Sequence, residues 1–201
     1  MSEVDRSEPQ DHWPAVLTWR AHDVSRMESV RVQLSGNRIK AYGRIVAAAT
    51  EVHPAFSASY DLVTDDTGAT KRLSLTVTLA ERERQLNIAR DEENMWLVQD
   101  KQNQATRAPH GGALDVDVIY SPFFNALPIR RTGLHLHAES ISLPVVYVRL
   151  PELTVETVTI DYEADRSRPK AIKLHSPVAD TTITVDDDGF ILDYPGLAER
   201  I

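Results

Sequence analysis

Apolar and polar residues alternate along most of this chain, and this period of two residues is the feature that most limits its possible folds. In the segment KRLSLTVTLA, Leu73, Leu75 and Val77 share one side of an extended backbone, whereas the serine and threonines between them share the other. The pattern recurs from Val16 onward, and no long window carries a helical stripe. The sequence therefore predicts a mainly β protein built from antiparallel strands with one buried face.

Turn residues between the alternating segments predict roughly eleven strands. The segment from Glu83 to Arg90 also suits a short helix with charge pairs four apart, but its short length and turn-rich flanks favour a strand. Residues 101–112 lack periodicity and contain a proline and two glycines, which predicts a loop. Because no Gly/Ser-rich or Pro-rich linker interrupts the pattern, we predict a flexible tail over residues 1–12 and a single β domain over residues 13–201.

The charge balance limits the classes of partner. The chain has 30 acidic and 22 basic residues, a net charge of -8, so it should repel nucleic acid and anionic membrane surfaces. It has no cysteine, which excludes disulfides, zinc-thiolate sites and thiol nucleophiles. We therefore predict no nucleic-acid partner and no cofactor.

The apolar stretches of the chain are too short to cross a membrane as helices. None reaches the roughly 20 apolar residues that span a bilayer, and the N-terminal residues MSEVDRSEPQDHWP lack the apolar core of a secretory signal. These observations predict no stable membrane insertion and a cytoplasmic location.

The segment LDVDVIYSPFFNALPIRR, residues 114–131, departs from simple alternation. In an extended backbone Asp115 and Asp117 share one face. Pro122 should end that strand, so that the following FFN residues form a turn or short helical loop. Pro128 should then hold the chain extended and start a strand over residues 129–132.

The two adjacent arginines of this segment, Arg130 and Arg131, would point to opposite faces of that strand. Because burying an unpaired guanidinium is prohibitive, we expect one of the two to pair with Asp115 or Asp117 and fix the corner. An arginine that contacts a polar ligand head group is the alternative interpretation.

The motif SPFFNALPIRR resembles that of the Putative glycolipid-binding family of bacterial proteins, in which a D-V-D-like strand leads into T-P-F-T-N-T-L-P-I-R-R. Supporting matches cover nearly the whole chain and include Trp19-Arg20, Glu28, Tyr42-Gly43, Tyr60, Asp65, Arg72, Trp96, Pro151 and the closing VDDDGFILDYPGL. Ser121 stands where the family usually has the first threonine, and Phe124 replaces the second, which removes a hydroxyl. The residues from Thr159 to Glu163 also lack the glutamine that often precedes the family's tyrosine, here Tyr162.

This resemblance implies a single strongly curved antiparallel sheet with little helix, a half-barrel or incomplete barrel similar to the bacterial lipoprotein-localisation carriers. It also implies a non-catalytic role in which the concave face holds a glycolipid or another lipid-like ligand. The residues that we expect to contact such a ligand are Phe123, Asn125, Arg130, Arg131, Asp117 and Tyr162.

Other groupings of polar residues indicate ordinary structure. His135 and His137 share one strand face, yet no third metal ligand stands at a recognisable spacing, so we predict no metal site. The run Asp186 to Gly189 begins like a calcium loop but lacks the required glutamate, which favours a hairpin turn. Trp19 is the best tryptophan candidate for the core.

Two other functions stay open. No common hydrolase, zincin or nucleotide-binding motif is present, but Asp115 and Asp117 could act with His135 in a hydrolase or transferase. A protein-interaction module could instead use an open sheet edge or the Phe123-Phe124 turn.

Overall fold

A computed structural model describes residues 13–99, 104–165, 167–168 and 170–201 of the chain. These residues form fifteen strands, one α-helix and one 3₁₀ turn at His110–Gly112. The helix α1 is Pro122–Thr132. The strands are β1 Ala15–Ala21, β2 Arg26–Ser35, β3 Arg38–Ala47, β4 Phe56–Thr64, β5 Thr70–Thr78, β6 Glu83–Arg90, β7 Trp96–Gln99, β8 Ala105–Ala108, β9 Asp115–Val118, β10 Ser140–Arg149, β11 Thr154–Ala164, β12 Ala171–Ser176, β13 Ala179–Val185, β14 Ile191–Tyr194 and β15 Ala198–Arg200.

All fifteen strands belong to one sheet, in the order β8-β7-β6-β5-β4-β3-β2-β1-β15-β14-β13-β12-β11-β10-β9. Two runs of consecutive hairpins, β1 to β8 and β10 to β15, meet where β1 pairs with β15. Neighbouring strands are antiparallel except for β9 and β10, which are parallel. The predicted class is confirmed: one large, mainly antiparallel sheet that does not close into a barrel.

Contacts across the sheet show how strongly it curves. Phe123 of α1 lies 6.0 Å from the Tyr60 ring of β4 and 6.2 Å from the Phe190 ring just before β14. The strands β4 and β14 stand five places apart in the strand order. In a flat sheet with the usual strand spacing they would be about 24 Å apart. In addition, the amide of Thr70 in β5 donates to the carbonyl of Leu114 just before β9. The sheet therefore curls around α1, which occupies its inner face.

The core follows the predicted alternation. In β5 the side chains Leu73, Leu75 and Val77 are buried, and β6 confirms the strand at Glu83–Arg90. Trp19 is fully buried, as predicted, and its indole donates to the carbonyl of Ile191. Alternation of side chains thus builds the inner face on which α1 packs.

The predicted strand count was too low, and one reason is β8. Its four residues, Ala105–Ala108, lie in the segment predicted as a loop, residues 101–112. Three of the four are exposed, so this edge strand has no apolar face for a sequence pattern to reveal. Residues 1–12, which we predict to be a flexible tail, lie outside the described residues.

Candidate functional site

The helix α1 corrects the prediction for the central segment. Pro122 begins the helix and Gly133, at φ 74°, ends it in the left-handed conformation that glycine adopts readily. Pro128 lies inside the helix instead of starting a strand. All residues from Pro122 to Ile129 are buried, so packing on every side outweighs the hydrogen bond that proline cannot donate.

A buried glutamate of β2 anchors the start of α1. Glu28 accepts hydrogen bonds from the Tyr60 hydroxyl at 2.6 Å, the Ser121 hydroxyl at 2.5 Å and the Phe123 amide at 3.4 Å. Burial raises the pKa of Glu28 to about 7, against the opposing effect of these hydrogen bonds. A carboxylate at a helix N-terminus satisfies amides that lack an intrahelical partner, so Glu28 caps α1 from 93 residues away in sequence.

The predicted ion pair at the corner is confirmed, and Arg131 supplies it. Its guanidinium binds the Asp115 carboxylate through Nη2 at 2.6 Å and through Nε at 3.1 and 3.2 Å. Asp115 is fully buried, and burial raises its pKa while Arg131 opposes that shift. The pair ties the end of α1 to β9, and it occupies both side chains.

Of three further residues in the predicted ligand set, Phe123 and Tyr162 are buried and Arg130 is half-buried. Arg130 places its guanidinium 4.8 Å from the centre of the Phe190 ring and donates to the Asp188 carbonyl. Phe123 is fully buried among aromatic rings, and Tyr162 is 1% exposed in the core. None of these three side chains lines the cleft that contains Asp117.

Asp117 and Asn125, the remaining two predicted residues, line the same cleft of about 450 Å³. We call it the Asp117 cleft. It lies beside the start of α1, and four parts of the fold line it: side chains between Asp23 and Arg26, residues 117–121 with Asn125, Tyr147 with Ile160, and the two turns at 176–181 and 194–197. Its volume falls in the range of small-molecule sites.

Asp117 gives this cleft an unusual electrostatic character. The side chain is 8% exposed, and burial raises its pKa to about 7, with Glu28 and Asp115 adding to the rise. Its contacts are a 3.5 Å hydrogen bond from the Asn125 amide and one from the Val118 backbone. Perturbed carboxylates in clefts are candidates for function.

Two tyrosines beside Asp117 were not predicted. Tyr147 and Tyr194 line the cleft, and burial raises the pKa of both phenols, with the charge of Asp117 as the next cause. Tyr194 falls in the closing segment that carried part of the family resemblance, which was the one available signal. Tyr147 reaches the cleft only through the pairing of β10 with β9.

The residues suggested for catalysis do not assemble. Asp115 is held by Arg131, while His135 lies in the turns after α1, near the Ile129 carbonyl and Gly189. Neither lines the Asp117 cleft. The prediction that His135 and His137 share a strand was wrong, because α1 continues to Thr132 and turns follow it.

Three further findings concern metal sites, membrane-spanning helices and the suggested protein-contact turn. Across the described ranges, no group of three histidine or acidic residues could hold a metal ion, and no helix is long and apolar enough to cross a membrane. Phe123 and Phe124, suggested as a protein-contact turn, are both fully buried. They are therefore unavailable for contact in this conformation.

Comparison with solved structures supports the fold. The crystal structure of a DUF1089 family protein from Pseudomonas aeruginosa matches 91% of this chain and 95% of its own, with a TM-score of 0.70 and 24% identity. At that identity the likeness concerns the fold. No curated protein matches this sequence. The family model described as Putative glycolipid-binding matches residues 16–200, and the chain therefore belongs to that family.

Proposed function

We propose that this protein binds a glycolipid or similar lipid-like amphiphile without transforming it, and that the polar head of the ligand occupies the Asp117 cleft. The family description supports this class of ligand. Because α1 fills the inner face of the sheet, we place the ligand beside the helix and not in an empty barrel. Asp117 and Asn125 are the members of the predicted set that can reach it there.

The observation that carries the proposal is that this cleft adjoins an apolar groove. The groove has a volume of about 810 Å³, and its apolar lining consists of Ala21, Val24, Met27, Val46, Ala47, Ala48, Ala55, Phe56, Leu79 and Ala80. Val24 and Arg26 line both depressions. A polar head in the cleft would therefore leave its tail next to the groove, where Met27 and Val46 are 40% and 46% exposed. Burial of such exposed apolar surface favours binding.

Titration calorimetry with octyl β-glucoside below its micelle concentration tests the proposal. Val178 is exposed at the mouth of the cleft, and Val16 is exposed away from it on β1. We expect Val178→Trp to weaken binding by roughly tenfold or more by filling the mouth, and Val16→Trp to leave it unchanged. Equal affinity in both variants and the wild type would place any binding elsewhere and contradict the proposal.

A further inference from the structure

We propose that the Asp117 cleft selects a head group with a positively charged amine, as in an amino sugar or an alkylammonium amphiphile. This inference rests on the proposed function, because it concerns the same cleft. It adds the charge of the ligand, which the family description does not give.

The charges around the cleft favour a cation. Three carboxyl groups, those of Asp23, Asp117 and Asp180, line it, against the single guanidinium of Arg26. Arg26 is 8% exposed, and its guanidinium lies 4.5 Å from the centre of the Tyr120 ring. The Arg26 guanidinium therefore packs against Tyr120 and is poorly placed to bind an anionic head group. The overall charge of -8 acts in the same direction at longer range.

Asp117 supplies the direct partner for an ammonium group. It is more than nine-tenths buried, and it belongs to the cleft lining. Among the described residues no cationic group lies within 4.0 Å of its carboxylate, in contrast to Asp115, which binds Arg131. The 3.5 Å contact from Asn125 is long for a hydrogen bond. An ammonium in the cleft would give this carboxylate the charged hydrogen bond that the protein itself does not provide.

Aromatic rings are a further feature of the cleft that favours a cationic head group. Tyr120, Tyr147 and Tyr194 all line the cleft. Tyr120 and Tyr147 each carry an arginine guanidinium near the ring, at 4.5 and 5.4 Å from the centre. Arginine thus already contacts these two rings, whereas among the described residues no arginine lies over the ring of Tyr194. Aromatic faces beside a carboxylate are the usual surroundings of bound ammonium groups.

The test uses three amphiphiles that share an octyl tail and differ in head charge: octylammonium, octyl β-glucoside and octyl sulfate. Calorimetry is run at about pH 8, where Asp117 is ionised and the amine is protonated. We expect octylammonium to bind at least roughly tenfold more tightly than octyl sulfate, with octyl glucoside between them. Asp117→Asn should weaken octylammonium binding roughly tenfold more than it weakens octyl glucoside binding, because only the ammonium loses an ion pair. The exposed aspartate of β11 gives the control variant Asp161→Asn, which should change neither.

The outcomes separate the two proposals. The proposed function stands if octyl glucoside binds and Val178→Trp blocks that binding. The charge inference is nevertheless wrong if octylammonium binds no more tightly than octyl glucoside, or if Asp117→Asn leaves the affinity for octylammonium unchanged. If none of the three amphiphiles binds, the proposed function fails and the inference fails with it. A cooperative urea-unfolding transition of Asp117→Asn checks that this variant is folded.

Discussion

Replacing Asp117 by asparagine should stabilise the protein, and the gain should depend on pH. The carboxylate of Asp117 is buried without a cationic partner in the described part of the chain. Folding therefore moves an ionised group out of water at a free-energy cost. Asparagine has nearly the same shape and can keep the contacts with Asn125 and the Val118 amide, but it carries no charge.

The size of the effect follows from the pKa of Asp117. Folding raises that pKa from 3.8 to about 7, and each unit corresponds to about 1.4 kcal/mol, so the full cost is about 4 kcal/mol. Below about pH 4 the carboxyl is protonated in both states and costs nothing. Between about pH 4 and 7 the folded state keeps a proton that the unfolded state has lost, so wild-type stability falls as pH rises. Above about pH 7 the loss is complete.

Urea unfolding at a series of pH values measures this effect. The stability difference between Asp117→Asn and the wild type should grow by about 1.4 kcal/mol per pH unit between about pH 4 and 7 and then level off near 4 kcal/mol. The control Asp161→Asn, at an exposed aspartate, should change the unfolding free energy by less than about 0.5 kcal/mol at neutral pH. A difference for Asp117→Asn that stays constant across this range would refute the reasoning, because it would mean that folding leaves the pKa of Asp117 unchanged.

Three further substitutions test the packing around α1. Arg131→Met should cost about 3–5 kcal/mol in urea unfolding, because it leaves Asp115 buried without its cation; a cost below about 1 kcal/mol would show that the pair is dispensable. Phe123→Ala should cost about 3–5 kcal/mol by opening a cavity among aromatic rings, and a smaller loss would mean that α1 collapses into the space. Gly43→Ala should lower the melting temperature, at a cost of about 1–3 kcal/mol, because the new Cβ would lie 2.1 Å from Cζ of Tyr60; an unchanged melting temperature would show that the ring can move aside.

Alternation predicted the strands because most of them bury one face and expose the other. It located β5 and the core position of Trp19, whereas the short length and turn-rich flanks of residues 83–90 predicted β6. The helix α1 escaped prediction for the opposite reason. It is buried on all sides from Pro122 to Ile129 and so has no polar face to mark a helical period. The internal Pro128 then indicated an extended chain.

The candidate site was only partly predictable, because distant segments build it. The aspartates and arginines of one short motif indicated an ion pair, and Arg131 with Asp115 forms it. Glu28 reaches the start of α1 from 93 residues earlier. The cleft wall with Tyr147 depends on strand pairing, which local residue patterns do not encode. Sequence reasoning thus identified the segment but not the direction in which its side chains point.

The position of β15 in the strand order bears on how the chain folds during synthesis. A ribosome releases β1 first and β15 after every other strand, yet the two pair in the middle of the sheet. The strands β1 to β8 can form from successive hairpins as they emerge. The strands β10 to β14 can do the same later, but the three residues of β15 must arrive before the two halves join. Until then β1 and β14 each present an unpaired edge, so the nascent chain is most exposed to misassembly just before β15 emerges.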